Sequence, residues 1–387
     1  MKHRLMDLLA CPESGHYPLD LTILASEPDA AGGPGYATEI TEAILGCGGC
    51  GREFPVIEGI PRFNPDAQSD YPEFFHKHAS RFRNAKAEDL GSFQELHTAT
   101  KRSFGYQWLR YRVTDDKENR EVFHRRTGTQ PGTLGGQLLF EAGCGMGRYL
   151  KIIGEDPEAE VVGLDLSLAV NRARAENRHN PRVHVIQGNL MQLPLRPGIF
   201  DHVYSIGVLH HTPSTEAAFH SIARLVKPGG RISVWVYHLW GPKSQRGLKA
   251  LNAGIRGRIS DTLRRVTTKL PHPVLHYMCY IAVPLGWAQR RVRQSPAPVR
   301  VLLAPVMFLP VSSHAQWRVR LCDTFDWYSP KFQWKHTPDE VAEWFEREGL
   351  VDISTEGYAV TVRGRRPAVD KAARKPAIET AQVTSPR

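Results

Sequence analysis

The chain has 387 residues, 41% of them hydrophobic and 23% charged, which is enough apolar material for a globular core. The sequence has no apolar run of bilayer length, so no membrane-spanning helix is predicted. Asp7 and Pro12 bracket the short apolar patch Leu8–Ala10, so no secretory leader is predicted and a cytoplasmic location is expected. The net charge of +10 is concentrated between residues 243 and 300, with twelve Lys or Arg and one acid, which argues against a general nucleic-acid-binding surface.

Residues 1–65 are predicted to form a small zinc-ribbon-like domain. Cys11 lies in its first half, and Cys47 and Cys50 flank two glycines in its second half. A glycine-rich knuckle followed by an apolar strand is typical of a ribbon that binds zinc through thiolates. Residues 66–130 are expected to form a helical N-terminal flap or linker, whose most apolar part is Ser103–Tyr111.

From residue 131 to 240 the pattern predicts a doubly wound α/β core, a Rossmann-like sheet with alternating apolar runs and amphipathic helices. The predicted helix starts are Ser167, as an N-cap, and Thr212 with Pro213. The predicted strands are Leu138–Ala142, Val161–Leu166, Val183–Ile186, His202–Ile206 and Ile232–Tyr237.

The C-terminal third is predicted to interrupt and then complete this core. Residues 241–325 form a basic, apolar helical insertion after the fifth strand, and residues 326–362 supply the last helix and strands. That helix begins at the capping box Thr337–Glu340 and ends at Gly349, before strands near Val351–Ser354 and Tyr358–Val362. Residues 363–387 lack apolar periodicity and are expected to be disordered.

A glycine-rich turn follows the first core strand and predicts a cofactor site. Glycines there let a ligand approach the backbone, and Asp165, at the end of the second strand, is placed to accept hydrogen bonds from ribose hydroxyls. Dinucleotide binding needs G-x-G-x-x-G, whereas this turn reads G-x-G-x-G after Glu141, and a carboxylate suits an ammonium group better than a pyrophosphate. The turn therefore favours S-adenosylmethionine over NAD, with a ligand-free tight turn as the remaining interpretation.

Five segments together resemble the successive motifs of class I S-adenosylmethionine-dependent methyltransferases, especially the type 11 and ubiquinone-methyltransferase-like branch: "LLFEAGCGMGRYL", "VVGLDLS", "IQGNLMQLPL", "FDHVYSIGVLHHT" and "ARLVKPGGRISV". The resemblance implies three groups of cofactor contacts. The methionine part would be held by Glu141, Gly143, Gly145 and Gly147, and the ribose and adenine by Asp165, Leu166, Asn189 and Leu190. Ile206 and Gly207 would form the floor near the sulfonium. Asn189 stands where the family often has aspartate, and its amide carbonyl can still accept from the adenine amine.

Methyl transfer needs alignment of donor and acceptor, and a base only if the acceptor must lose a proton. His210 and His211 follow the fourth strand at the carboxyl edge of the sheet, where one of them is a candidate base. Each histidine has a simpler alternative role, which is to order the loop or to cap the next helix. The sequence lacks the Asn/Asp-Pro-Pro-aromatic tetrapeptide common among enzymes that methylate amines of nucleobases or glutamine, so an oxygen or carbon acceptor is favoured.

The insertion pairs basic runs with apolar runs that are shorter than a membrane span. This pattern predicts either a peripheral contact with the inner face of an anionic membrane or an apolar acceptor pocket ringed by arginine. A helical cap with a basic outer face is the simpler interpretation. Tyr106 and Trp108 are candidates for an N-terminal flap over the methyl group, with packing in the core as the alternative role. Further acceptor-site candidates lie next to the last helix: Asp323, Asp326, Tyr328 and His336.

Residues 1–65 also resemble the zinc ribbon of the tRNA-methyltransferase activator family, with its C-P-x-C, C-x-x-C-G and Gly-Ile-Pro pattern. Cys11, Cys47 and Cys50 match, but Ser14 replaces the other cysteine, and three ligands do not close a structural zinc site. Either His16 is the fourth ligand or the ribbon has lost its metal.

The sequence thus predicts a methyltransferase that uses S-adenosylmethionine on a small-molecule or lipid-linked acceptor. The alternatives are an RNA or protein methyltransferase, a nicotinamide oxidoreductase, and a non-catalytic scaffold that keeps the fold.

Overall fold

Two sheets organise the part of the chain that the computed structural model describes, namely residues 1–29, 33–82, 91–111, 115–156, 158–239, 248–356 and 360–368. The first sheet is antiparallel, with strand order β1-β2-β3-β4. Its strands are β1 (Asp20–Pro28), β2 (Thr38–Gly46), β3 (Glu53–Ile57) and β4 (Ile60–Pro61). This sheet is the ribbon predicted for the N-terminal segment.

Between the ribbon and the second sheet, the described residues form four α-helices. They are α1 (Ala67–Asp70), α2 (Pro72–Lys77), α3 (Gly91–Arg110) and α4 (Asp116–Thr127). Asp115 caps α4 by accepting a hydrogen bond from the backbone N–H of Glu118, and Gly128 ends the helix in the left-handed conformation at φ 71°. The predicted helical character of this segment is therefore observed.

The second sheet has seven strands in the order β10-β11-β9-β8-β5-β6-β7. The pairs among β5 to β9 are parallel, whereas β11 runs antiparallel to β9 and β10 antiparallel to β11. The strands are β5 (Leu138–Ala142), β6 (Glu160–Asp165), β7 (Val183–Gln187), β8 (Phe200–Ile206), β9 (Val226–Val236), β10 (Val351–Glu356) and β11 (Val360–Arg365). The order reverses between β5 and β8, which creates a crevice at their carboxyl ends, and the predicted doubly wound α/β fold is confirmed.

Helices flank this sheet: α5 (Arg148–Gly154), α6 (Ala169–Asn177), α7 (Thr215–Ala223) and α13 (Pro338–Arg347). The capping box of α13 is present, since the Thr337 side chain accepts from the backbone of Glu340 and the Glu340 side chain accepts from that of Thr337. The predicted start of α7 is wrong by two residues. Ser214 caps α7 by accepting from the N–H of Ala217, while the Thr212 hydroxyl donates to the Leu209 carbonyl in the preceding turn.

The insertion after β9 is helical, as predicted, and contains α8 (Leu248–Thr267), α9 (His272–Cys279), α10 (Ala282–Gln294), α11 (Ala297–Leu302) and α12 (Trp317–Tyr328). A small apolar core of its own holds α9 and α12 together with the end of α3, through Tyr111, Leu275, Leu321 and Phe325. None of the helices among the described residues combines the length and the apolarity that crossing a bilayer requires. The predicted boundary at Trp240, the start of the strand at Tyr358 and the tail from 369 onward lie outside the described residues.

The ribbon packs directly on the seven-stranded sheet rather than standing apart. Leu9 pairs with Leu195 in an isolated bridge, and Arg62 pairs with Gln187 at the end of β7. One continuous apolar cluster contains ribbon residues such as Leu45 and Phe54 together with sheet residues of β5 to β7. The ribbon therefore covers the β7 edge, which would otherwise expose unpaired backbone groups.

Candidate functional site

A cavity of about 340 Å³ opens at the carboxyl ends of β5, β6 and β8, the position at which doubly wound sheets bind ligands. A second cavity of about 60 Å³ adjoins it, and Gly143 and Asp165 line both. Nine of the ten residues predicted to contact a cofactor line one or both cavities. Those are Glu141, Gly143, Gly145, Asp165, Leu166, Asn189, Leu190, Ile206 and Gly207.

Glu141 lies at the inner end of the larger cavity and is 2% exposed. Its Oε2 atom has no hydrogen-bond partner among the described residues. Burial raises the pKa of this carboxyl group to about 8 in the ligand-free protein. A buried carboxyl group with a free oxygen is suited to a cationic ligand group, because an ammonium would both satisfy that oxygen and favour its ionised form.

Asp165 fixes the shape of the glycine loop. Its Oδ2 atom accepts from the backbone N–H of Gly145 at 2.9 Å, and its Oδ1 atom accepts from the N–H and hydroxyl of Ser167 at 2.8 and 2.7 Å. Burial raises the pKa of Asp165, while these hydrogen bonds favour its ionised form. A carboxylate offers about four lone pairs, so a ribose hydroxyl can still donate to it.

The glycines of the loop differ in what they do. Gly143 has φ 83°, and a Cβ there would lie 2.3 Å from Cγ1 of Val208, so the loop tolerates no side chain at this point. Gly147, at φ 82°, lines neither cavity; a Cβ there would lie 3.0 Å from the Cβ of Ala173 on α6. The structure thus gives Gly147 a packing role between α5 and α6 rather than a place beside the ligand.

Asn189 and Leu190 line the smaller cavity together with His97 of α3. The Asn189 Oδ1 atom already accepts from the N–H of Met191 at 3.0 Å, and its amide nitrogen lies 3.3 Å from Nε2 of His97. One lone pair of the Asn189 oxygen is therefore used within the turn, and the other is free for a donor such as an adenine amine.

His211 lines the smaller cavity and, on another side of its ring, approaches Asp326 of α12, which lines the larger cavity. Its Nδ1–H donates to the carbonyl of Phe332 at 2.8 Å, so Nε2 carries the lone pair. Nε2 lies 4.0 Å from Oδ2 of Asp326, which also accepts from the Tyr237 hydroxyl at 2.5 Å. Burial lowers the pKa of His211, although Asp326 opposes the shift, so the ring is neutral at pH 7 and able to accept a proton.

His210 is placed differently from its neighbour. It is fully buried, lines neither cavity, and packs with its ring centroid 3.9 Å from that of Tyr237. Burial lowers its pKa well below the usual value. Of the two candidate bases, His211 lines the smaller cavity and has a ring nitrogen near Asp326, whereas His210 does neither.

The further acceptor-site candidates also separate in space. Asp323 and Asp326 line the larger cavity, and burial raises the pKa of Asp323 to about 6. Tyr328 is buried and donates to the Pro310 carbonyl, and His336 bonds to Glu340 and Thr215, so both serve the packing of the fold.

Several cavity residues were not predicted from the sequence; most come from helices distant in the chain, while Arg148 directly follows the glycine loop. Of the two flap candidates, Trp108 of α3 lies over the loop, so that a Cβ at Gly145 would be 3.2 Å from its Nε1 atom. Tyr106 instead packs against Phe325 and His272 in the insertion. The unpredicted residues include Phe104, Gln107, Arg126, Arg148 and Val319.

The ribbon brings three of its four predicted metal ligands together. The sulfur atoms of Cys11, Cys47 and Cys50 all lie within 4.8 Å of one another, a spacing that suits one ion bound by three thiolates. The hydroxyl oxygen of Ser14 lies 3.4 Å from the Cys47 sulfur, whereas the exposed His16 does not join the group and packs beside Gly48 and Gly49. The fourth side of the cluster is therefore occupied by Ser14.

Replacing Ser14 with cysteine is expected to increase zinc affinity, because a fourth thiolate would complete a tetrahedral site. The measurement is zinc content after dialysis against graded chelator, and Ser14→Cys should retain zinc at chelator concentrations that strip the unaltered protein. His16→Ala serves as the control and should behave as the unaltered protein does. Equal zinc loss from Ser14→Cys and the unaltered chain would refute the placement of Ser14 at the fourth position.

The geometry agrees with two family matches. Residues 140–234 match the profile of a methyltransferase domain, and residues 2–59 match that of the Trm112p-like proteins. The chain therefore contains a methyltransferase domain preceded by a Trm112p-like domain. The first match covers most of β5 to β9 and most of the residues that line the smaller cavity, while α3, α4 and α12 supply much of the larger one. The second match covers the ribbon up to residue 59, just before β4.

Similar proteins include methyltransferases of small molecules. The chain is 35% identical over 109 residues to 24-methylenesterol C-methyltransferase 2 of Arabidopsis thaliana, and the aligned segment covers 27% of this chain and 29% of that protein. It is 32% identical over 118 residues to a demethylmenaquinone methyltransferase of Lactococcus lactis subsp. lactis, where the aligned segment covers 29% of this chain and 46% of the relative. The chain thus spans less than half the length of these relatives. A solved complex of the Haloferax volcanii Trm112 activator with a methyltransferase matches at 17% identity and a TM-score of 0.37, covering 68% of this chain and 97% of that one.

Proposed function

We propose that this chain is an S-adenosylmethionine-dependent methyltransferase that acts on a small-molecule or lipid-linked acceptor. The observation that carries the proposal is a single cavity with two chemically different ends. The end at Glu141 and Asp165 suits the cofactor, and the end at Asp326 and Tyr237 suits a polar group of the acceptor.

The end of the cavity at Glu141 and Asp165 suits a methyl donor better than a nicotinamide dinucleotide. The free oxygen of Glu141 is a partner for the ammonium of the methionine part, which favours the ionised carboxylate, whereas a pyrophosphate at the same place would gain no ionic partner from it. Asp165 would hold the ribose, and the smaller cavity, with Leu166, Asn189 and Leu190, would hold the adenine. When bound, the cofactor supplies a methyl group on a sulfonium whose leaving group departs neutral.

At the acceptor end, the residues support removal of a proton from a hydroxyl group. His211 Nε2 would take the proton as the new O–C bond forms, and Asp326, 4.0 Å away, would stabilise the resulting imidazolium. The Phe332 carbonyl keeps the imidazole in the tautomer that this step needs. Phe104 and Trp108 of α3 line the cavity with aromatic surface, which would limit the access of water to the reacting atoms. A carbon acceptor whose reaction ends in proton loss could use the same base.

Methyl transfer to a cell extract tests the proposal across many candidate acceptors at once. The protein is incubated with S-adenosylmethionine and either the lipid or the water-soluble fraction of cells that lack it. We expect a compound heavier by one CH₂ unit in the mass spectrum, and none with heat-treated protein. A modified polynucleotide or protein, with no such small molecule, would favour a polymer acceptor instead.

A further inference from the structure

The insertion exposes an unusual amount of apolar surface. Of the twenty large hydrophobic side chains that are exposed in the described part of the chain, thirteen lie between Leu263 and Leu309. Helix α9 shows the pattern clearly. Its inner face buries Leu275 and Cys279, yet Val274, Tyr277 and Met278 on its outer side are apolar and exposed, as is Ile281 directly after the helix. Soluble surfaces rarely keep an apolar stripe on the outside of a helix that already has a buried face.

Helix α11 shows the same feature in a stronger form. It has no buried residue, although five of its six side chains are apolar. Val301 and Leu302 are 76% and 78% exposed. Helix α11 packs against α10, which exposes Trp287, so the exposed apolar side chains of α9, α10 and α11 belong to neighbouring elements. We call the outward side of these three helices the cap face.

Charge on the same segment has one sign only. Between Asp261 and Asp323 the sequence contains nine Lys or Arg and no Asp or Glu. Two of the nine are used internally, since Arg264 donates to the carbonyls of Trp327 and Pro330, and Arg320 donates to that of His314. The exposed cations include Arg290, Arg291 and Arg293 at the end of α10 and Arg300 on α11. Apolar side chains flanked by arginines complement a bilayer with anionic headgroups, because the apolar groups leave water while the cations pair with the headgroups.

The cap face lies behind the acceptor end of the cavity. Helix α10 packs so closely on the segment leading into α12 that a Cβ at Gly286 would lie 2.0 Å from the carbonyl oxygen of Ser312. Helix α9 also packs on α12. The other side of α12 presents Asp323 and Asp326 to the cavity. A molecule held at the surface on which the cap face rests would therefore be one helix layer away from the acceptor site.

We infer that the cap face docks on an anionic lipid bilayer as an interfacial surface. This inference deepens the proposed function, since it rests on a lipid-linked acceptor that reaches the cavity from the membrane. The apolar residues of α9 and α11 would enter the headgroup boundary, and the arginines of α10 would lie among the headgroups.

Co-sedimentation of the full chain with lipid vesicles tests the inference. We expect binding to vesicles of phosphatidylcholine containing phosphatidylglycerol, little binding to phosphatidylcholine alone, and loss of binding as salt screens the charges. The double variant Val301→Ser/Leu302→Ser should bind at least about tenfold more weakly, from the apolar area withdrawn from the interface. Arg290→Gln/Arg291→Gln/Arg293→Gln should remove the preference for anionic vesicles. Ile23→Ser on β1, an exposed apolar residue on the ribbon, is the matched control and should bind normally.

Three results would overturn the inference. The first is the absence of binding to anionic vesicles at moderate salt. The second is a Val301→Ser/Leu302→Ser variant that binds as tightly as the control. The third is that this variant only converts a dimer into monomers, which would mean that a second copy covers the face. Binding to single-stranded RNA that depends on the arginines but not on Val301 and Leu302 would assign the face to RNA. Binding of S-adenosylhomocysteine is measured in every variant, so that a failure of the proposed function is seen separately from a failure of membrane docking.

Discussion

Replacing His211 with asparagine is expected to lower kcat by about 10²–10⁴-fold, the usual contribution of a positioned general base. Asparagine can still donate to the Phe332 carbonyl, which His211 Nδ1 now contacts at 2.8 Å, but it has no basic nitrogen to take the proton of the acceptor. His211 also lines the smaller cavity, so the affinity for S-adenosylhomocysteine is measured in the same variant, and the fall in kcat at saturating cofactor should exceed any change in that affinity. Transfer of labelled methyl groups to the responsive extract fraction measures the rate.

The pH profile separates this role from a structural one. The imidazole must be neutral to act, and burial lowers its pKa below the ordinary value of 6.5, so activity is expected to fall only at pH values below that point. Asp326→Asn keeps an acceptor for the Tyr237 hydroxyl and removes the charge that stabilises the imidazolium, so it should also slow transfer. His179→Gln, at an exposed position, is the control. An active His211→Asn protein with an unaltered profile would exclude His211 as the base.

Replacing Glu141 with glutamine is expected to weaken the binding of S-adenosylhomocysteine by about 1–3 kcal/mol, because the ligand ammonium would lose its charged partner in a buried site. The pKa of Glu141 is about 8 in the ligand-free protein, so most molecules carry a proton there at pH 7. Pairing with an ammonium requires the ionised form, and binding should therefore release that proton. The affinity should rise about tenfold from pH 6 to pH 7, as expected below the pKa of a single linked group.

Calorimetry in two buffers of different ionisation enthalpy measures this proton release. The number of protons released per bound ligand should approach one for the unaltered chain at pH 7 and should fall to zero in Glu141→Gln. Glu176→Gln, at an exposed position of α6, should behave as the unaltered protein does. Proton release that persists in Glu141→Gln would place the linked group elsewhere.

The sequence predicted the sheet well because its signals are local. Buried parallel strands appear as short apolar runs, and the strand Leu138–Ala142 was predicted with the bounds that the structure has. The start of α13 followed from a capping box, which needs only four consecutive residues. At α7 the local signal misled, because Thr212-Pro213 has the composition of a helix start but lies in a turn that precedes the true cap, Ser214.

The site was predictable only where it depends on one segment of chain. The loop from Glu141 and the acid at Asp165 belong to a single βαβ unit, so their order along the chain shows that they converge. The approach of Asp326 to His211 depends on how α12 packs among the other helices, and no periodic pattern in the sequence reports that. For the same reason the sequence offered His16 as the fourth metal ligand, while the fold turns Ser14 toward Cys47.

The central claim is that the cavity beside Glu141 and Asp165 binds S-adenosylmethionine. Calorimetric titration of the full chain with S-adenosylhomocysteine and, separately, with NAD tests it most directly. We expect one molecule of S-adenosylhomocysteine to bind per chain, binding to weaken in Asp165→Ala, and NAD to give no heat of binding. Binding of NAD in its place, or no binding of S-adenosylhomocysteine by folded protein, would contradict the account.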